Sequence, residues 1–506
     1  MANTEAAPAR AGAREWAGMA VLALPVLLLS LDLTVLHLAA PALGADLGAS
    51  GTQLLWILDV YGFMVAGLLV TMGNLGDRIG RRRLLLIGAG AFGVASVAAA
   101  YAPTAAALIA ARALLGVAGA TLMPSTLGLV RALFRDPRQR ALAIGVWSLA
   151  FTLGGAIGPI VGGVLLAHFW WGAAFLLGVP VMLLLLAAGP FLLPEERDAS
   201  AGRIDLLSAL QALGTMLPVV YALKEFAKDG FTAATAAALA VGAVFAVLFL
   251  RRQRRLEDPL VDLTLFRAPG FAAALGALLL SMTALGGVLM LFVQYLQMVR
   301  GHTALETGLL LLPGVAASVA GSLLAPLLAR RARPAVLIGA GIVMAVAGLL
   351  LFAVVEPEGG LWPLVAGTVL MFLGLTPIAV LGTGLVVDSA PKKRASSASS
   401  LSETASELGT ALSIALIGSV ITAVYTTRMA AFAGAAPGGA RDNLAAALDA
   451  AASLPSRDSA ALLDAGRAAF TDALNTGALA AAAVLLAALA ITTAALRRVP
   501  PLGESD

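Results

Sequence analysis

The 506-residue chain contains no cysteine, three histidines and few charges, and each scarcity removes a class of function. Without cysteine there is no disulfide, no thiolate nucleophile and no cysteine-ligated metal, and His37, His168 and His302 lie too far apart in sequence for ligand spacing. Charged residues make up 12%, well below the roughly 25% usual in soluble domains, whereas 60% are hydrophobic. Such a chain belongs in lipid. No Gly-x-x-x-x-Gly-Lys-Ser/Thr pattern is present, which disfavours ATP-driven pumping, and no nucleophile, metal cluster or phosphate loop suggests an enzyme. No cofactor is expected. Only four of the 33 basic residues are lysine, a bias that points to a high-GC bacterium.

What the chain does have is apolar sequence in runs near the ~20 residues that cross a bilayer. Fourteen are read, at 17–40, 53–72, 84–100, 105–128, 141–166, 172–193, 204–223, 231–250, 271–298, 305–328, 335–354, 361–387, 402–427 and 474–496. The first is too long for a cleavable leader and is expected to stay attached. With a cytoplasmic N-terminus, inner segments hold 25 of the 33 Lys and Arg and outer segments hold 7, as the positive-inside tendency requires. The one left over, Arg112, lies within the fourth run. The net charge of +4 therefore speaks for contact with anionic lipid rather than nucleic acid.

Leu86-Ile87-Gly88-Ala89-Gly90 recurs as Leu337-Ile338-Gly339-Ala340-Gly341, each after an arginine-rich turn, as in transporters built from repeated halves. The expected fold class is all-α and polytopic: two six-helix bundles with two extra spans between them and both termini cytoplasmic. The boundaries are an N-tail 1–16, a first bundle 17–193, inserted helices 204–250, a cytoplasmic linker 251–270, a second bundle 271–496 and a C-tail 497–506. An unusually long outer segment, 428–473, predicts a hairpin of helices at Leu444 to Ala452 and Ser459 to Phe470; a disordered loop is the competing reading.

Ionisable groups inside a bilayer cost about 2.5–3.5 kcal/mol each and mark function by default. Asp32, Asp59, Arg112, Glu403 and Glu407 are the candidates. Asp32 is roughly 22 Å into its span at 1.5 Å per residue, and Asp59 reaches a similar level from the other side. Neighbouring carboxylates in low dielectric raise one another's pKa, which suits proton exchange near neutral pH. Bonding to helix backbone, or a static pair with Arg112, are the alternatives for these acids. Glu403 and Glu407 share one helical face and fit a cation site, unless Ser396 to Glu407 is a solvated helix end.

Two glycine-rich motifs complete the pattern. Gly73-Asn74-Leu75-Gly76-Asp77-Arg78-Ile79-Gly80-Arg81-Arg82-Arg83 predicts a tight turn, with Asp77 at the N-terminus of the next helix and the arginines in the headgroup layer. Gly154-Gly155-Ala156-Ile157-Gly158-Pro159-Ile160-Val161-Gly162-Gly163 predicts close packing and a local kink, hence a hinge.

The turn at 73–83 resembles the signature turn of the major facilitator superfamily. Leu31 to Val35 with Pro41, Arg112 to Gly119 and Gly154 to Gly163 are similar to motifs of its fourteen-span drug:proton antiporter family. Trp56 to Tyr61 and Ser402 to Gly409 resemble the branch that exports quaternary ammonium compounds. The resemblance implies proton coupling at Asp32 and Arg112, and cation recognition or protonation at Asp59, Glu403 and Glu407. It implies a conformational switch at Gly73, Gly76, Asp77, Arg78, Gly80 and Arg81, and a hinge at Gly154, Gly158, Pro159, Gly162 and Gly163. Departures are His37, where the family usually has asparagine, and the lack of any acid from Thr307 to Val355, which puts dications in question. The expected protein is a monomeric, multi-pass exporter in a bacterial plasma (inner) membrane, taking protons and amphipathic cations as partners and no nucleic acid. A dedicated exporter of one endogenous metabolite or antibiotic is the second reading, and a membrane sensor or scaffold the third.

Overall fold

The apolar runs are hydrophobic on every face, so their backbone must satisfy its own hydrogen bonds, and helices do so residue by residue. A computed structural model describes residues 11–49, 51–195, 197, 205–256, 259, 261, 263–329, 331–388, 395–432, 439–441 and 443–496. Among them there is no strand, and each of the fourteen expected segments falls on helix. The expected C-tail and most of the expected N-tail lie outside the described residues, as do parts of the linker and of the 428–473 segment.

The chain divides into two units, residues 1–216 with 245–260, and residues 217–244 with 261–506. The first holds α1 (Ala13–Leu47), α2 (Gly51–Ile79), α3 (Arg81–Ala100), α4 (Ala105–Leu133), α5 (Pro137–His168), the short α6 (Ala173–Leu176) and α7 (Gly178–Leu192). Within it α1 packs against α5 and α7, α2 against α4, and α3 against α4 and α7. The inserted pair, α8 (Leu206–Asp229) and α9 (Ala233–Gln253), contributes its Asp205 and Arg252 ends to this unit. There Asp205 caps α8 by accepting from Ser208 N at 3.0 Å, and Arg252 grips both oxygens of the same carboxylate at 2.8 and 3.2 Å.

The second unit holds α10 (Pro269–Gln294), which runs into a π-helical turn at Tyr295–Val299, then α11 (Ala304–Ala329), α12 (Pro334–Phe352), α13 (Trp362–Asp388), α14 (Ala395–Ala430), α15 (Leu444–Ala451) and α16 (Ser456–Leu496). Here α10 packs on α13, α14 and α16, and α12 lies against α13 and α16. Helices α12 and α13 meet through facing glycines: a Cβ built on any of Gly341, Gly348, Gly367 or Gly374 collides with the carbonyl oxygen of the glycine opposite. Lipid offers no apolar driving force between helices, so such backbone contact is what holds a pair together.

Among the described residues, ten helices are long and apolar enough to cross a membrane, or twelve if each of two bent pairs is one span. The expected count was fourteen; α8 is apolar only over Leu206–Ala222, and α14 includes residues outside those described. The expected hairpin is modified. Its first helix ends at Ala451, and its second is continuous with the last span, because no proline follows Pro455 until Pro500. Tyr425 donates to the Ala440 carbonyl at 3.4 Å and ties this segment to α14.

Candidate functional site

Arg112 is carried into the interior of the first unit by α4 and is fully enclosed. Its Nη1 donates to Asp32 Oδ2 of α1 at 2.5 Å, its Nε to the Ile57 carbonyl at 3.1 Å, and its Nη2 to the Leu58 carbonyl at 3.4 Å. The two carbonyls belong to α2; a helical carbonyl has a second lone pair, which a guanidinium fork reaches at no cost to the helix. The guanidinium carbon also stands 4.6 Å from the ring centre of Tyr61 and 5.9 Å from that of Phe175, where aromatic faces attract a cation.

Glycine spacing on α4 explains why Tyr61 sits there. A side chain at Gly116 would come within 2.6 Å of the Tyr61 carbonyl, and one at Gly119 within 3.0 Å of the Tyr61 hydroxyl. The three helices α1, α2 and α4 thus close around one cation and one carboxylate. The Arg112 side chain has no solvent exposure and that of Asp32 has 11%.

Asp59 is half-buried on α2, next in sequence to Leu58, and is engaged in a contact of its own. The structure therefore joins Asp32 directly to Arg112 and places Asp59 beside one of the carbonyls that hold it.

On α5 the glycines face α1. A Cβ at Gly154 would collide with the Leu27 carbonyl, one at Gly158 with the Thr34 hydroxyl, and one at Gly162 would stand 3.2 Å from Val35 Cγ1. The helix bends by 45° between Leu142–Gly155 and Ile160–His168. Gly163 is half-buried at the end of this run, and the side chain of Pro159 lies outside the described residues. A second bend, 55° between Trp56–Leu69 and Thr71–Ile79 of α2, has no proline to announce it.

The turn after α2 is tighter than expected, and its acid is displaced. Only Gly80 separates α2 from α3, with φ at 107°, a region where a side chain is strained. Asp77 consequently stays in the last turn of α2 instead of starting α3, and it pairs with Arg81 at 2.6 Å. Arg81 also donates to the Pro124 carbonyl of α4 at 3.3 Å. Gly73 and Gly76 are buried and Arg78 is exposed.

Glu403 lies on α14, half-buried, and among the described residues no cation or donor pairs with its carboxylate. The next turn packs tightly on α10, since a Cβ at Gly409 would collide with the Leu279 carbonyl. Glu407 is on the same helix, and its side chain lies outside the described residues. No group of three His, Asp or Glu among the described residues could hold a metal ion.

Sequence reasoning did not foresee Tyr61, Phe175 or the carbonyls of Ile57, Leu58 and Pro124. Helical carbonyls carry no sequence signal. Tyr61 did have one: it ends the segment Trp56 to Tyr61 and sits opposite glycines at 116 and 119.

Comparison with known proteins supplies the context for this geometry. The chain is 44% identical over 492 residues to the multidrug efflux pump LfrA of Mycolicibacterium smegmatis, covering 97% of this chain and 98% of that protein. It is 33% identical over 463 residues to the methyl viologen resistance protein SmvA of Salmonella typhimurium, covering 90% and 93%. In fold it matches a bacterial homolog of the human lysosomal transporter Spinster, in an inward-facing and unoccupied conformation, with a TM-score of 0.60, 19% identity and coverage of 96% and 97%. Residues 22–414 match the pattern of the Major Facilitator Superfamily, and the chain belongs to that family.

Proposed function

We propose that this protein is a proton-coupled multidrug efflux antiporter that expels lipophilic, quaternary ammonium-type cations by alternating access. The observation that carries the reading is the buried pair of Asp32 and Arg112, a fixed cation against an acid that keeps a solvent-accessible edge. The extensive identity to a multidrug efflux pump supports the substrate class, as does the relative named for methyl viologen, a compound with two quaternary nitrogens.

In this reading a proton from outside adds to the Asp32 carboxylate and neutralises it. The ion pair with Arg112 weakens, and the guanidinium keeps the Ile57 and Leu58 carbonyls and the Tyr61 face as its remaining partners. Release of that proton to the cytoplasm restores the pair. Asp59 serves both proton coupling and cation binding, while Glu403 and Glu407 attract the cationic substrate. The turn with Gly73, Gly76, Asp77, Arg78, Gly80 and Arg81 acts as the conformational switch. Gly154, Gly158, Pro159, Gly162 and Gly163 form the hinge. The topology has fourteen spans with both termini cytoplasmic, two six-helix bundles at 17–193 and 271–496, inserted helices at 204–250, and an outer hairpin within 428–473. The protein works as a monomer in the bacterial inner membrane.

The test is ethidium efflux from cells that carry the wild type, Asp32→Asn, Asp59→Asn or Glu407→Gln, with and without a protonophore. Wild-type efflux should stop when the proton gradient collapses, and each variant should be impaired. Efflux that outlives the gradient would overturn the antiport reading, and unimpaired variants would overturn the assignment of residues.

A further inference from the structure

A groove of about 500 Å³ runs between α12 and α16, lined by Gly339, Ala340 and Val343 on one side and Leu489 and Thr493 on the other, with Arg333 at one end. It exists because Gly339 presents no side chain where the two helices face. A Cβ there would lie 3.5 Å from Leu489 Cδ1 and 3.8 Å from Thr493 Cγ2, ordinary contact distances, so the space is open rather than collapsed. Both helices are long and apolar enough to span the bilayer. The valines along the rim are well exposed, Val336 at 60% and Val343 at 56%, so the groove opens to hydrocarbon.

Its length is the second observation. Arg333 to Val343 is ten residues of rise, roughly 15 Å, which is half of the ~30 Å hydrocarbon core and hence the depth of one leaflet. The third is charge. Arg333 immediately precedes α12 and is exposed, and among the described residues no carboxylate or carbonyl pairs with its guanidinium. The helices beside it carry no acid over 335–352 or 473–496. A cation that lines the end of an apolar slot one leaflet deep, within an arginine-rich turn, matches one class of molecule.

We infer that this groove holds one acyl chain of an anionic phospholipid whose phosphate is bound by Arg333. Contact with hydrocarbon does not distinguish one lipid from another, so selectivity comes from the guanidinium and amounts to roughly fivefold over a zwitterionic lipid, the factor one basic residue contributes near a charged surface. The site is independent of how transport is driven.

Full-length protein in nanodiscs, photolabelled with phosphatidylglycerol carrying a diazirine in its acyl chain and mapped by peptide mass spectrometry, tests the assignment. Labelling should fall within 335–343 and 489–493 and exceed that by the matching phosphatidylcholine probe about fivefold. Arg333→Gln, a surface change that leaves packing alone and keeps the neighbouring Arg330 and Arg331, should reduce that preference at least twofold. Gly339→Leu should abolish labelling by both. Equal labelling of the wild type by the two probes, or undiminished preference in Arg333→Gln, would overturn the site. So would protection from both probes, which would mean that another chain covers the groove.

Discussion

The guanidinium of Arg112 is wholly enclosed while the carboxylate it holds 2.5 Å away, Asp32, retains an exposed edge. In the proposed mechanism the two groups have different tasks. The enclosed member has three hydrogen-bond partners across two helices, and the accessible member is the proposed proton carrier.

Asp32→Asn keeps the shape and the hydrogen-bond acceptor but cannot ionise. Gradient-driven ethidium efflux should drop at least tenfold, with membrane levels of the protein unchanged on immunoblots. Arg112→Gln differs, because it strands an ionised acid in the interior, a change that costs about 3–5 kcal/mol when a buried pair is broken. The single variant should melt well below the wild type in detergent, and Asp32→Asn combined with Arg112→Gln should recover part of that loss.

Gly158→Ala forces a methyl group into the space held by the Thr34 hydroxyl, an overpacking worth about 1–3 kcal/mol. Transport and thermal stability should both fall. Adding Thr34→Ala should relieve part of the defect, and no relief would argue that Gly158 matters for its backbone instead.

Gly80→Ala faces two penalties, the positive φ and the nearby Glu195 carboxylate, and they are separable. Backbone strain of about 1–3 kcal/mol remains whatever the neighbour is. Accordingly Glu195→Ala should not rescue Gly80→Ala in efflux assays. Full rescue would mean that the carboxylate was the whole obstacle.

Arg81→Lys should slow efflux several-fold while preserving charge. A single ammonium cannot readily meet both Asp77 and the Pro124 carbonyl as the planar fork does. A lysine variant with wild-type rates would reduce the turn's role to charge alone.

Glu403→Gln should raise the KM for ethidium and leave export of a neutral substrate near normal, since the carboxylate has no protein partner to lose among the described residues. Equal impairment for charged and neutral substrates would make Glu403 structural.

Much of this arrangement could be read before any coordinates were known. Arg112 stood out because every other basic residue fell outside the apolar runs, and a buried cation calls for an acid at its own depth. The 45° bend of α5 was legible through Pro159 and its glycines. The 55° bend of α2 was not, because nothing in Leu69-Val70-Thr71 breaks a helix by its own chemistry. Asp77 was misplaced for a similar reason. Capping preference assigns an acid to the start of α3, but a one-residue connection leaves no room for it there. The continuity of α16 depended on what does not interrupt it, which a hydropathy window centred on lipid overlooks.

The glycine seam between α12 and α13 has a bearing on how this protein can evolve. At Gly158 in the α1–α5 contact a bulkier residue can be offset by trimming Thr34, so drift has a path. Where backbone meets backbone at Gly341, Gly348, Gly367 and Gly374, neither side has anything left to trim, and no second change on the opposite helix can absorb the first. Those four positions are an evolutionary dead end, and substrate range must diversify elsewhere.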